Sequence, residues 1–352
     1  MKGHAMRASL VESKPWRALN RDTHIARLVI ILLSLILIFA VVKTDAFLNL
    51  RTWQSMAIQF PEFGLMALGV MLTMITGGID LSVVGIANMT SIGAAVVMLS
   101  LAPRGADAGT SAVAIGVAIV SALVAGTAAG ALNGFLVAKI KITPILVTLG
   151  TFELFTGIAI VITGGKPKSG LPPMYGQTFA GKMFGVIPVP LVVFVIAAAL
   201  IAVLMNNTAF GTKIHMLGTN AKSATFSGLN TFSLLVRTYM ISGLYASVAG
   251  LVMLANYNSA KADYGSTYTL LAVLIVVLGG VNPNGGTGRL LGVVLAIGIL
   301  QILSSGLNMF PNISNFYRPL IWGGVLLAVI TANHLSGKRS SSRIAKGKGQ
   351  AQ

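Results

Sequence analysis

A chain of 352 residues with 9% charged and 55% hydrophobic residues lies outside the composition of soluble domains. Apolar runs recur along its whole length and the mean hydropathy is +0.84, which leaves no room for a soluble catalytic domain and makes one integral membrane domain the economical reading. The net charge of +17 does not imply nucleic acid, because the basic residues lie in tails and at the ends of apolar runs, where they orient the chain and meet anionic lipid.

A polar tail over 1–26 comes first. Its basic leader is long and no small-x-small cleavage site follows the first apolar run, so that run reads as an uncleaved span rather than a signal peptide. A span needs about 20 mostly apolar residues. On that basis spans are predicted near 27–43, 54–76, 81–102, 111–137, 143–164, 184–205, 233–255, 265–281, 289–309 and 317–333. The expectation is an all-α polytopic bundle of about ten transmembrane helices over 27–335, followed by a basic tail over 336–352. With the N-terminus inside, 17 of the 25 Lys and Arg residues fall on the cytoplasmic side, as the positive-inside rule expects, and both termini are cytoplasmic.

After the second span, Thr76-Gly77-Gly78-Ile79-Asp80-Leu81-Ser82 interrupts hydrocarbon on both sides. A carboxylate in lipid must be solvated, capped or paired. Gly77 and Gly78 let the backbone turn, and Asp80 with Ser82 reads as a cap for the third span at the cytoplasmic boundary, a place compatible with gating. Glu62, beside Pro61 in the second span, and Glu153, near the middle of the fifth, are pathway candidates, because membrane-embedded carboxylates face a cavity or a partner. Asn133, between Gly130 and Gly134, reads first as packing glue between helices and is also kept as a pathway candidate.

Segment 206–231 is the longest inside loop, and 164–185 the longest outside. Within the former a short surface helix is expected from Asn220, with Ala221, Ser223 and Ala224 as a slim face and Gly228 as its stop. Gly77-Gly78-Ile79-Asp80 is faintly echoed by Gly279-Gly280-Val281-Asn282 after the eighth span, which hints at an internal repeat. There is no phosphate loop of the Gly-x-x-x-x-Gly-Lys-Ser/Thr type, no cysteine, and no metal-ligand spacing among the four His.

Three stretches carry a resemblance. Thr76 to Val83, Gly218 to Leu229, and Ala131 to Val137 followed by Ile142 to Thr151 are together similar to the permease subunits of bacterial ABC importers for sugars, the branch typified by ribose and autoinducer-2 uptake. Two departures stand out: Val84 intervenes before Gly85, and Ser223 stands where Ala is commoner. The resemblance implies a multi-pass subunit of the bacterial inner membrane that forms a pathway for a sugar or sugar-like solute. It implies as partners cytoplasmic ATPases, a periplasmic solute-binding protein and a second permease copy or close relative. It also implies that Gly218, Asn220, Ala221, Ala224, Ser227 and Gly228 form the segment that couples to the ATPase. ATP is then used by the partner, with no cofactor and no catalytic site in this chain. The alternative is an ion-coupled secondary transporter of a small polar solute, for which Glu62 and Glu153 are the available carboxylates.

Overall fold

The computed structural model describes residues 23–103, 105–311, 317, 320–324, 327 and 331. Residues 1–22 of the expected N-terminal tail, the whole C-terminal tail and most of the expected span at 317–333 lie outside the described residues, while 23–26, expected in the tail, begin the first helix. In chain order the helices are α1 (Thr23–Val42), α2 (Thr44–Phe47), α3 (Leu50–Ile75), α4 (Val83–Leu101), α5 (Ala108–Phe135), α6 (Pro144–Thr163), α7 (Pro173–Phe179), α8 (Val189–Asn206), α9 (Ala209–Thr219), α10 (Ala221–Phe226), α11 (Thr231–Tyr257), α12 (Tyr268–Leu278) and α13 (Leu290–Leu307). A π-helical turn, Leu136–Ile140, extends α5. Strand is confined, among the described residues, to two antiparallel pairs of dipeptides: Lys168–Ser169 with Ser259–Ala260, and Lys182–Met183 with Ile187–Pro188.

Eight of these helices are long and apolar enough to cross a membrane, counted among the described residues. The expected span at 265–281 is different. There α12 has 11 residues, so it rises about 16 Å against a hydrocarbon core of about 30 Å. It is a half-helix, preceded by an irregular segment that the surrounding protein buries in part. Non-helical backbone is tolerated at membrane depth under that condition.

α3 and α11 form the centre. Apolar residues cover every side of α3 from Phe63 to Ile75, so this stretch is buried all round rather than along one stripe. α11 runs beside it and packs on α5 through small residues. A Cβ on Gly130 would stand 2.1 Å from the Tyr239 carbonyl oxygen, and one on Gly243 would stand 2.1 Å from that of Gly126, so the two backbones touch where only glycine fits. α1, α6 and α8 line the periphery and leave long apolar faces bare, as lipid or a partner requires.

Candidate functional site: the helix break, the exposed loop and two membrane carboxylates

α3 ends because Gly77 adopts a left-handed conformation (φ +87°), letting the Gly78 N–H reach the Thr73 carbonyl at 3.0 Å and the Gly77 N–H reach that of Met74 at 3.0 Å. This is a Schellman stop. α12 ends the same way: Gly280 has φ +86°, the Val281 N–H bonds the Val276 carbonyl at 3.1 Å, and the Gly280 N–H bonds that of Val277 at 3.0 Å. The echo seen in the sequence is therefore a shared stop, but its register is shifted by one residue: Gly77 corresponds to Gly280, not to Gly279.

The chain then re-enters the bundle, and Asp80 is 0% exposed, enclosed by protein on every side. One carboxylate oxygen accepts from the Ser82 N–H (3.0 Å) and the Ser82 hydroxyl (2.6 Å), and the other accepts from the Ser242 hydroxyl of α11 (2.7 Å). It does not cap α4. The N-cap position belongs to Ser82, whose side chain makes no cap bond. Ser242 lies eleven residues into α11, about 16 Å along its axis, so the carboxylate is held well inside the bundle.

Neighbouring elements converge on the same break. Asn133 of α5, fully buried, donates to the Ser82 hydroxyl at 2.7 Å, and Thr148 of α6 donates to the Ile79 carbonyl at 3.0 Å. Asn133 thus ties helices together and lines no open path in this conformation. A Cβ on Gly78 would stand 2.5 Å from the Tyr239 hydroxyl, so that position is closed to larger residues.

The loop between α8 and α11 holds two helices where sequence pattern suggested one. α9 buries Gly211, Ile214 and Leu217; its short apolar stripe, interrupted by Lys213 and His215, reads as loop in the sequence. α10 follows with Asn220 as its N-cap, its side chain accepting the Ser223 N–H at 3.0 Å, and it stops at Gly228 (φ +78°), where the Leu229 N–H bonds the Ala224 carbonyl. Asn220, Ala221, Ser227 and Gly228 are exposed. Ala224 is not: it is 3% exposed and packs with Leu217 and Leu234, joining α9, α10 and α11. Gly218 also faces inward, where a Cβ would stand 1.9 Å from the Ile75 carbonyl oxygen and 2.5 Å from the Gly286 nitrogen. The loop is therefore seated on the end of α3 and on the turn after α12, where the Gly286 N–H donates to the Ile75 carbonyl at 2.9 Å. Of the three apolar residues that read from the sequence as anchors of this loop, Leu217 is buried, Met216 is partly exposed and Phe226, at the tip of α10, is 92% exposed.

The two membrane carboxylates separate. Glu62 is 1% exposed; its Oε1 accepts from Asn256 Nδ2 (2.8 Å), and its Oε2 accepts from the Tyr257 hydroxyl (2.6 Å) and the Tyr268 hydroxyl (3.4 Å). Pro61 leaves α3 one N–H short beside Glu62, and Asn256 also donates to the Ile58 carbonyl of α3 (3.1 Å). Glu153 instead points out of the bundle. α6 buries Val147, Thr148, Thr151, Phe155, Ala159 and Thr163, and leaves Glu153 on the opposite, bare face between Gly150 and Gly157, around each of which there is open space.

Residues 53–330 match the family described as branched-chain amino acid transport system / permease component. The chain is 36% identical over 299 residues to a ribose import permease protein of Bacillus subtilis, covering 85% of this chain and 89% of that one. It is 30% identical to a D-allose transport system permease protein of Escherichia coli (88% of this chain, 91% of the relative) and 29% identical to an autoinducer 2 import system permease protein of Yersinia enterocolitica (78% and 80%). No solved structure matches. A bundle of apolar helices interrupted by a glycine-stopped break, matched over most of its length, identifies the chain as a multi-pass membrane protein belonging to this family of transport permease components.

Proposed function

We propose that this chain is the pathway-forming subunit of an ATP-driven importer of a sugar or sugar-like solute, residing in the bacterial inner membrane with both termini in the cytoplasm. Cytoplasmic ATPase subunits supply the energy, a periplasmic binding protein delivers the solute, and a second permease copy completes the pathway. The observation that carries the reading is the α9–α10 loop. It offers an exposed aromatic at Phe226, yet is fixed through Gly218 and Ala224 to the end of α3 and the start of α11. A partner that grips Phe226 therefore moves the two central helices. Such a push selects between inward-open and outward-open packing only if the partner binds the two states differently.

The sugar branch, rather than the amino acid named in the family description, is supported by the ribose, allose and autoinducer 2 relatives. The test is co-purification with the ATPase encoded beside it. The Phe226→Ala variant is expected to lose the ATPase and solute-stimulated hydrolysis while keeping the thermal transition of the isolated chain, because its ring rests on nothing. Retained capture and coupling would remove the loop from the mechanism. Uptake by vesicles that hold an ion gradient but no ATP would instead favour the secondary transporter, for which Glu62 and Glu153 are the available carboxylates.

A further inference from the structure

The Glu62 cluster is not used by the coupling argument, and its chemistry points outward. Glu62 lies at the end of the bundle remote from the loop: Asn256 is fourteen residues beyond Ser242 on α11, about 21 Å further along the axis. Its three bonded partners, Asn256, Tyr257 and Tyr268, are all neutral donors. Asn256 Oδ1 is buried without a partner, a vacant acceptor beside the carboxylate. Around this polar centre stand tyrosine rings open to solvent in part. Tyr257 is 44% exposed; Tyr264 meets it edge-on at 5.2 Å between centroids; Tyr268 is half-buried and meets Phe63 at 5.7 Å. Tyr264 is held in place by Asn88, whose amide donates to the Tyr264 and Ala262 carbonyls at 2.8 Å each, and by its hydroxyl's bond to Ser259.

Resting on the sugar reading above, we propose that Glu62, Asn256, Tyr257, Tyr264 and Tyr268 form a subsite that contacts the sugar as it enters the pathway. A sugar presents hydroxyl donors along its rim and apolar C–H faces. A carboxylate with two accepting oxygens and an amide oxygen in reserve suits the first, and exposed tyrosine rings suit the second. The hydroxyls of Tyr257 and Tyr268 already sit where sugar hydroxyls would donate, so entry exchanges one O–H···carboxylate bond for another. That near balance gives the weak, reversible contact that passage requires.

The experiment co-expresses the permease with its neighbouring ATPase and binding protein in cells lacking their own ribose and allose uptake. It measures initial rates with labelled D-ribose, 2-deoxy-D-ribose, D-allose and L-leucine. Glu62→Gln is expected to raise the half-saturating concentration for the preferred sugar about tenfold, the loss of one charge-assisted hydrogen bond, and to narrow the discrimination between ribose and its 2-deoxy analogue. Tyr257→Leu, which removes the ring, is expected to raise that concentration as well, whereas Tyr257→Phe, which keeps the ring and frees the carboxylate oxygen that the phenol occupies, is expected to lower it and to widen that discrimination. A uniform fall in maximal rate with discrimination unchanged in all three variants would make the cluster a latch between helices and overturn the proposal. If Glu62→Gln fails to assemble, the two Tyr257 variants decide, because that ring is partly exposed. Uptake of leucine and of no sugar by the unaltered protein would fell the sugar reading itself, a result distinct from normal sugar uptake with unaffected variants.

Discussion

Glu62 and Asp80 meet the cost of a carboxylate among apolar helices in the same manner, each surrounded by neutral donors to which α11 contributes: Ser242 beside Ser82 for Asp80, and Asn256 and Tyr257 beside Tyr268 for Glu62. Three bonds hold Asp80, and its removal leaves the Ser82 and Ser242 hydroxyls and the Ser82 N–H without their acceptor. A buried group left unsatisfied costs about 1–3 kcal/mol. Asp80→Ala is therefore expected to lower the thermal transition of the purified protein clearly, while Asp80→Asn, which keeps one accepting oxygen, lowers it less; equal transitions would show that these bonds contribute nothing. Little of this was legible beforehand. The sequence marks Asp80 as an anomaly, but the donors that satisfy it include Ser242, 162 residues away, and no local pattern announces that pairing. Phe226 was legible as an apolar residue of the loop, but not that α10 would turn its ring away from the rest of the chain.

Among the elements, the long helices were legible because twenty apolar residues leave few alternatives, whereas α9 and α12 were not. α9 is too short and too basic to stand out, and α12 is apolar enough to pass for a span until its Schellman stop and the irregular segment before it cut it to half length. α6 carries the clearest unmet demand at this scale. Its bare face sets Glu153 between two glycines, and lipid offers that carboxylate no donor. The second permease copy proposed above would satisfy it by meeting this face, with water or solute at the carboxylates, since small residues allow close approach of helices. Because the chain contains no cysteine, single cysteines report the contact cleanly. Gly157→Cys, treated in membranes with a short bifunctional thiol reagent, is expected to run as a covalent dimer, and Val195→Cys on the exposed face of α8 to remain monomeric. Equal behaviour of the two would exclude α6 from the interface.

At the scale of the whole molecule, three places of interest lie along one helix. α11 begins beside the α9–α10 loop, reaches Asp80 through Ser242, and ends at Glu62 through Asn256 and Tyr257. No proline interrupts it over its 27 residues, while α3 beside it carries Pro61 next to Glu62. The topology that places these contacts on one rod could not be read from the sequence, although the rod's length could. On a continuous rod the angle between two contacts is as fixed as the distance between them. Ser242 and Asn256 must face α3 together, and one residue added between them turns everything beyond by about 100°. A single alanine inserted after Leu251 is expected to spare membrane insertion and ATPase capture, which depend on the near end, yet to abolish uptake by rotating Asn256 and Tyr257 off Glu62. A second insertion elsewhere in the same turn would not restore it, whereas adding a full seven residues, two turns, would bring the two contacts back into phase while displacing them lengthwise by about 10 Å. Uptake in these variants therefore separates a requirement for rotational phase from one for axial reach.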